Sequence, residues 1–247
     1  MPDHKIIMSK QKTFLITGAT KGIGLATASY LHSLGHQVIG IARHEQPDFP
    51  GLLFCVDLSD SEQTELLLNE IQKNHVIDGV VNNIGNVHPE LLEDLRLDSF
   101  FKVLDLNLRP AIQVVQAVLP KMKEHGFGRI VNIASRAMLG KVGRSSYSAA
   151  KASLVALTRT WALELAPYQI TVNAVAPGPI QTESFVENYP KGSEEEKRLI
   201  GGLPLKRVGL PEEIAYAIGF FLDERAGFIT GQTLLVDGGG SISSGAF

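Results

Sequence analysis

The sequence predicts an α/β protein: a single doubly wound parallel sheet flanked by helices. Three observations carry that expectation. Short apolar runs alternate with longer amphipathic stretches along the chain. The runs Val80-Val81-Asn82 and Ile130-Val131-Asn132-Ile133 stay apolar at consecutive positions before a polar end, as strands covered on both faces do. The first run, Thr13-Phe14-Leu15-Ile16-Thr17, stops at a glycine-rich turn, Gly18-Ala19-Thr20-Lys21-Gly22-Ile23-Gly24, which opens a helical pattern.

The first strand is expected over about 13–17, with residues 1–11 as its lead-in. A helix over about 22–34 follows, with Ile23, Ala26, Thr27, Tyr30, Leu31 and Leu34 on one face and Gly35 as its C-cap. Val38-Ile39-Gly40-Ile41-Ala42 places the second strand at about 37–42. Pro47 and Pro50 leave room only for a short crossover to a third strand at about 52–56. Helices over about 60–74, 98–124 and 147–166 lead to strands at about 79–82, 129–134 and 170–175. Helices over about 194–201 and 211–222 precede a last strand at about 233–236. Ligands of such a sheet lie at the carboxyl ends of its strands.

With 247 residues and no linker, charge block or repeat, the chain reads as one domain, 1–247. A formal net charge of -3 gives no general attraction to nucleic acid or acidic membranes. The one cysteine, Cys55, leaves no disulfide framework or zinc spacing. No apolar stretch reaches membrane-spanning length, and Met1–Lys12 has no signal-peptide core. A cytoplasmic location is the expectation.

The glycines of the first turn have separate tasks. Gly18 turns the chain after the strand, Gly22 lets backbone approach a phosphate, and Gly24 lets the helix pack on the sheet. Freed N–H groups and the helix N-terminus then face an anion. Gly18, Thr20, Lys21, Gly22, Ile23 and Gly24 are therefore candidate contacts to a dinucleotide pyrophosphate. At the end of the second strand stands Ala42, followed by Arg43, where a carboxylate would hold the ribose hydroxyls of NAD(H). An arginine fork can instead bind a 2′-phosphate, and Lys21 is a second cation on that side. NADP(H) is thus favoured over NAD(H), although Glu45 could fold back toward the ribose.

Downstream, Ser135 closes the Ile130–Ala134 strand, and Tyr147-Ser148-Ala149-Ala150-Lys151 opens a helix. A phenol with a pKa of about 10 is a poor acid or base at neutral pH. A lysine four residues on lies on the same helix face. Its ammonium would favour phenolate and lower that pKa, as would the charge of oxidised nicotinamide. Ser135 is placed to hold a substrate oxygen. This chemistry moves a proton onto or off a carbonyl oxygen and needs no metal.

Thr17–Gly24, Asn82-Asn83-Ile84-Gly85, Asn107, Ser135, Tyr147 with Lys151, and Pro177-Gly178 stand in an order and spacing that resembles the short-chain dehydrogenase/reductase family, from about Lys12 to Gly240. Within it the chain is similar to the branch that includes bacterial 3-oxoacyl-carrier-protein reductases. The resemblance implies a Rossmann-type fold and catalytic Asn107, Ser135, Tyr147 and Lys151. Tyr147 would be the acid/base and Lys151 would also bind the nicotinamide ribose. Asn107, in Leu104-Asp105-Leu106-Asn107-Leu108, would kink its helix and hold a water beside the lysine. Further implied cofactor contacts are Asn83 and Gly85 at the ribose, Asp57 with the Leu58 backbone at the adenine, and Pro177, Gly178, Ile180 and Thr182 at the carboxamide or phosphates. Ile84 departs from the family's usual alanine. The polar segment at about 183–207 suits a substrate lid.

The substrate is expected to be a small carbonyl compound or alcohol. Carrier-protein reductases dock their acidic partner on basic residues, but the matching places hold Gly126 and Gln169 or Tyr168; Lys121 and Lys123 could substitute. Arg136, Lys141 and Arg144 could attract an anion, with Ala137, Met138, Leu139 and Val142 as an apolar lining. The alternatives are a 3-oxoacyl-carrier-protein reductase and, in another class, a non-catalytic nucleotide-sensing regulator. A homotetramer is expected. Leu104, Leu108, Ile112, Val115 and Leu119 of one helix, and Leu154, Leu157, Trp161 and Leu165 of the next, exceed what one sheet face covers. The segment from Gly231 through the tail to Phe247 resembles the family's second interface.

Overall fold

The computed structural model describes residues 11–243. The expected lead-in before Gln11 and the tail beyond Ser243 lie outside the described residues. Seven strands form one parallel sheet: β1 (Thr13–Thr17), β2 (Gln37–Ala42), β3 (Leu52–Cys55), β4 (Gly79–Asn82), β5 (Gly128–Ile133), β6 (Ile170–Pro177) and β7 (Thr233–Val236). Their order is β3-β2-β1-β4-β5-β6-β7. The helices are α1 (Gly22–Ser33), α2 (Ser61–Asn74), α3 (Leu97–His125), α4 (Ser145–Leu165), α5 (Glu183–Asn188), α6 (Glu194–Gly202) and α7 (Pro211–Leu222).

The period-two pleat divides the apolar strand residues between two layers. Phe14, Ile16, Val38, Val81 and Val131 meet Ala28 and Leu31 of α1 and Ile214, Ile218 and Phe221 of α7. Leu15, Ile39, Val80, Ile130 and Val172 meet Leu67 and Ile71 of α2, Val114 and Val118 of α3, and Leu165 of α4. From β1 the chain winds outward to β3, then crosses back to lay β4 on β1's other side. That reversal opens a crevice beyond Thr17 and Asn82.

Several expectations shift. The buried stripe of α1 is Gly24, Thr27, Ala28 and Leu31. Leu34 is the cap and is exposed, while Gly35, just beyond it, has φ +84°. The cause is α7, whose Gly219 receives the Tyr30 ring so closely that a Cβ there would lie 2.4 Å from it. The polar segment after β6 begins with an unforeseen helix, α5, started by Thr182 Oγ1, which accepts the Phe185 N–H at 3.2 Å. β3 stops at the exposed Cys55, so Asp57 lies past the strand. Of the apolar residues expected outside the core, Val115 and Leu165 are buried in it, and Leu154 is buried as well. Leu104, Leu108, Ile112, Leu119, Leu157 and Trp161 are half-buried, beside an exposed Leu163. Among the described residues no helix is long and apolar enough to cross a membrane.

Candidate active site

The turn after β1 needs its glycines. Gly18 and Gly22 have φ of +64° and +51°. A Cβ on Gly22 would lie 3.0 Å from Thr182 Cγ2, and one on Gly24 would lie 2.1 Å from the Gly18 carbonyl oxygen. Gly24 therefore lets the first turn of α1 close on the loop itself, rather than on the sheet as the sequence suggested. No side chain caps α1 and its first turn holds no acid, so its leading N–H groups are open to an anion.

From this turn a cleft of about 620 Å³ runs along the carboxyl ends of the strands. Gly18, Thr20, Lys21, Gly22, Ile23, Arg43, Asp57, Leu58, Asn83, Gly85, Ser135, Tyr147, Lys151, Pro177, Gly178, Ile180 and Thr182 all line it. Gly24 and Asn107 do not line it; both are buried. His44, Asn86, Val87, Leu106 and Phe185 also line the cleft and were not foreseen. His44, Asn86 and Val87 follow strand ends, whereas Leu106 and Phe185 lie in α3 and α5 and left no such signal.

At one end Ala42 leaves no acid at the end of β2, and the exposed Arg43 stands beside His44 and Asp57. Asp57 is committed locally: it accepts the Ser59 N–H at 2.9 Å, which holds its carboxyl below the usual range, helped by Arg43 and His44 and opposed by burial. Asp60 caps α2 by accepting from Glu62 and Gln63, both at 3.0 Å. Glu45 is not among the lining residues. These features fit a dinucleotide whose ribose carries a phosphate.

Asn83 has local partners within the cleft wall. Its amide donates to the carbonyl oxygens of Thr17 and Gly18, both at 3.1 Å, and its N–H to Thr17 Oγ1 at 3.0 Å. It staples β4 to the glycine turn while still lining the cleft. A Cβ on Gly85 would lie 3.2 Å from Lys151 Nζ and 3.4 Å from Asn107 Oδ1. Gly85 thus makes room for those two side chains.

Ser135 follows β5 and caps a short 3-10 turn, Arg136–Leu139, by accepting the Ala137 N–H at 3.2 Å. Its hydroxyl also acts on the Tyr147 phenol, lowering it. α4 begins at Ser145, so Tyr147 lies in its first turn and Lys151 one turn on. The expected lowering of the phenol by the lysine is not found. Burial pushes Tyr147 up, opposed by Ser135 and by the charge of Arg144. Although Tyr147 is half-buried as a residue, its hydroxyl end is enclosed. Lys151 donates to the carbonyl oxygens of Ile133 at 2.8 Å and Ile84 at 3.2 Å, and meets the tyrosine only at the ring, 5.7 Å from its centre. Burial lowers the Lys151 amine to about 7. Asn107 donates to Val103 and Asn86 carbonyls at 2.8 and 3.0 Å, and its buried Oδ1 has no partner.

The expected apolar lining does not form. Ala137 is buried, Met138 packs with Ala134, Val155, Ala174 and Ala176, and Leu139 and Val142 are exposed away from the cleft. Nor do the substitute basic residues stand free. Lys121 donates to the carbonyls of Gln72 and His75, and Lys123 lies 4.4 Å over the Tyr168 ring. Gly126 and Gln169 are both left-handed caps.

Comparison with known proteins places this geometry among relatives. The family described as Enoyl-(Acyl carrier protein) reductase matches residues 18–241. The chain is 38% identical to the 3-oxoacyl-[acyl-carrier-protein] reductase FabG of Pseudomonas aeruginosa, over 92% of this chain and 96% of that protein. It is similar to the structure of a short chain dehydrogenase/reductase family protein, with 35% identity, a TM-score of 0.86, and 96% and 100% of the two chains covered. A putative NAD(P) dependent gluconate 5-dehydrogenase from Beutenbergia cavernae, solved with bound NADP, is 30% identical with a TM-score of 0.87 over 94% and 98% of the chains.

Proposed function

The chain belongs to the short-chain dehydrogenase/reductase family and is an oxidoreductase of the alcohol/ketone class, and on that premise we propose that it is an NADP(H)-dependent enzyme in which Tyr147 passes the proton. The observation that carries this reading is one cleft that brings Ser135, Tyr147 and Lys151 together and continues to Arg43 and the glycine turn.

The nicotinamide, when bound, supplies or accepts the hydride. The protein's residues do the rest. Gly18, Thr20, Lys21, Gly22 and Ile23 hold the pyrophosphate, and Arg43 with Lys21 receives the 2′-phosphate. Leu58 and Asp57 flank the base, Gly85 and Asn83 shape the ribose site, and Pro177, Gly178, Ile180 and Thr182 orient the carboxamide. Ser135 holds the substrate oxygen. Tyr147, protonated at neutral pH because burial raises its pKa, donates to that oxygen in reduction. Lys151 fixes the tyrosine's helix and reaches the nicotinamide ribose. The unpartnered Asn107 Oδ1, facing the same point as Lys151 Nζ, suits a bridging water that returns the proton from solvent.

We place this activity in the cytoplasm, in a one-domain homotetramer, with residues 183–207 as the lid. NADPH consumption with a panel of ketones, repeated with NADH, tests the reading; no consumption with any ketone would refute it. The second reading, a 3-oxoacyl-carrier-protein reductase, is favoured by the relatives' identity. Against it stands the occupation of Lys121 and Lys123 by other partners. A nucleotide sensor has less support, because both Tyr147 and Lys151 are present and converge.

A further inference from the structure

One polar stripe of α3 reaches toward the adenine end of the cleft. Asp105, Arg109 and Gln113 stand four residues apart and so share a helix face. The Asp105 carboxylate accepts Arg109 Nε at 2.9 and 3.1 Å and Nη2 at 2.9 Å, and Gln113 Oε1 accepts Nη1 at 2.8 Å. The guanidinium is thereby fixed in its plane. Its Nη2 also donates to the carbonyl oxygens of Leu58 at 3.2 Å and Ser59 at 2.7 Å. Gln113 Nε2 adds bonds to Ser61 O at 3.2 Å and Ser61 Oγ at 3.0 Å. Side chains of α3 thus hold, by its backbone, the segment that leads from β3 into α2.

That segment carries Asp57 and Leu58, which line the cleft. The peptide unit joining Leu58 to Ser59 is held at both ends: its N–H donates to Asp57 Oδ1 at 2.9 Å, and its carbonyl oxygen accepts from Arg109. Rotation of that peptide would release the Asp57 carboxylate and turn the Leu58 backbone. The Leu58 side chain, buried among residues of α2 and α3, pins the same point from inside. Arg109 itself does not line the cleft, so it acts on a ligand only through Asp57 and Leu58.

We propose that Arg109 is a positioning residue for the cofactor's base: by clamping the Leu58–Ser59 peptide it aims the Asp57 carboxylate at the amino group of adenine, and so makes the site selective for adenine over a 6-oxo purine. The inference rests on the reading above in which Asp57 and Leu58 flank the base, and adds what orients them. A carboxylate accepts from an amino group and repels a carbonyl oxygen, so the aim of Asp57 is read directly as a preference between the two bases. A clamp already in place before the dinucleotide arrives spares the cost of ordering that segment on binding.

The test uses the purified full-length protein and needs no turnover. NADPH and its 6-oxo (hypoxanthine) counterpart, which carry the same fluorescent nicotinamide, are titrated in parallel, and the reading is the ratio of their dissociation constants. The native protein should bind NADPH about 10-fold or more tightly than the 6-oxo dinucleotide, the effect of a hydrogen bond to a charged group. Asp57→Ala should bring that ratio to about 1. Arg109→Met, which keeps an unbranched stem and loses the donors, should remove most of the preference, and Arg109→Lys, which keeps a charged donor, should restore part of it. In the Asp57→Ala background Arg109→Met should leave the ratio where it is, because the arginine acts through the carboxylate. An Arg109→Met protein that binds both dinucleotides more weakly but keeps the native ratio would overturn the proposal, reducing the clamp to a tie between helices and leaving the base assignment intact. A native protein with no preference between the two would overturn the base assignment and the proposal together. Should Arg109→Met not fold, Arg109→Lys decides by the same measure: a ratio below the native one supports the clamp, and an unchanged ratio overturns it.

Discussion

Lys151 Nζ donates to the carbonyl oxygen of Ile133 at 2.8 Å. That bond ties α4 to the last residue of β5, two residues before Ser135. The lysine therefore holds the helix that carries Tyr147 against the strand that carries Ser135. Its second acceptor, Ile84 O, belongs to the segment after β4, so one amine joins three parts of the cleft. The lysine acts on the tyrosine first by placing it. Burial alone would keep the phenol protonated, which suits a donor in the reducing direction.

Replacing Tyr147 by Phe removes one oxygen and keeps the ring over Lys151. Turnover should fall by about 100-fold or more, the contribution of a positioned proton donor, while the fold and NADPH affinity persist. Steady-state rates with a ketone, beside fluorescence titration of NADPH, check this. A near-normal rate would remove Tyr147 from the mechanism.

Lys151→Met should weaken both cofactor affinity and rate. It should also change how stability depends on pH. The folded chain holds this amine neutral above about pH 7, whereas the unfolded chain keeps it protonated to about 10.4. The unfolded state therefore binds more protons across that window, and stability rises with pH through it. Below pH 7 the full cost of burying the charge is present. Melting curves of the cofactor-free protein from pH 7 to 9.5 should slope upward for the native chain and flatten for the variant. His36, lowered by burial, titrates below 6.5, and Tyr147, raised, titrates above 10, so neither enters the window. Parallel slopes would contradict the assignment.

Patterning made all seven strands legible, because continuous apolar runs have no other use in a sheet covered on both sides. Most helix limits lay close to those expected, and Gly126, a left-handed cap that played no part in the expectation, ends α3 just past the expected limit. α5 was missed because Glu183–Asn188 buries nothing and leaves no apolar period to read. The residues lining the cleft were legible as a set, since the ends of parallel strands converge. Directions of side chains were not. Nothing in the chain order says that the Asn83 amide turns back to Thr17 and Gly18, or that Met138 turns into the core instead of the cleft. Both depend on distances between segments far apart in sequence.

Arg43→Ala should weaken NADPH binding far more than NADH binding. Arg43 lines the cleft beside Ala42, and no acid there competes for the ribose. Loss of a charge-assisted bond of about 1.5–3 kcal/mol corresponds to roughly 10- to 100-fold in cofactor preference. Dissociation constants for both cofactors decide it. A native protein that already prefers NADH would refute the assignment before any variant is made.

Two glycine-to-alanine changes should have opposite signs. At Gly24 the new methyl would lie 2.1 Å from Gly18 O and 2.8 Å from Asn83 Nδ2, and backbone cannot yield cheaply. Gly24→Ala should lower the melting temperature and weaken NADPH binding by about 10-fold or more, although alanine is the better helix former by about 1 kcal/mol. Gly201, inside α6, has nothing within 4 Å of a built Cβ. Gly201→Ala should stabilise by about 0.4–1 kcal/mol. Calorimetry of the two variants compares them; equal effects would mean that the turn is not packed as described.

The homotetramer prediction rests on the half-buried faces of α3 and α4. With Val115, Leu154 and Leu165 buried, and Leu119 and Trp161 packed against the core, the remaining half-buried set is Leu104, Leu108, Ile112 and Leu157, with Leu163 at 80% exposure. Such a face on two adjacent helices is self-complementary across a two-fold axis. A second apolar region lies at the far edge of the sheet, where Phe228, Leu234 and Ile242 are exposed. Two different two-fold contacts close a tetramer. Light scattering at micromolar concentration should give four times the 26.8 kDa chain mass. Leu163→Glu together with Leu157→Glu, which place charge on the first face, should leave a species of half that size, held by the second contact alone. A native mass of 26.8 kDa would mean that neither face pairs.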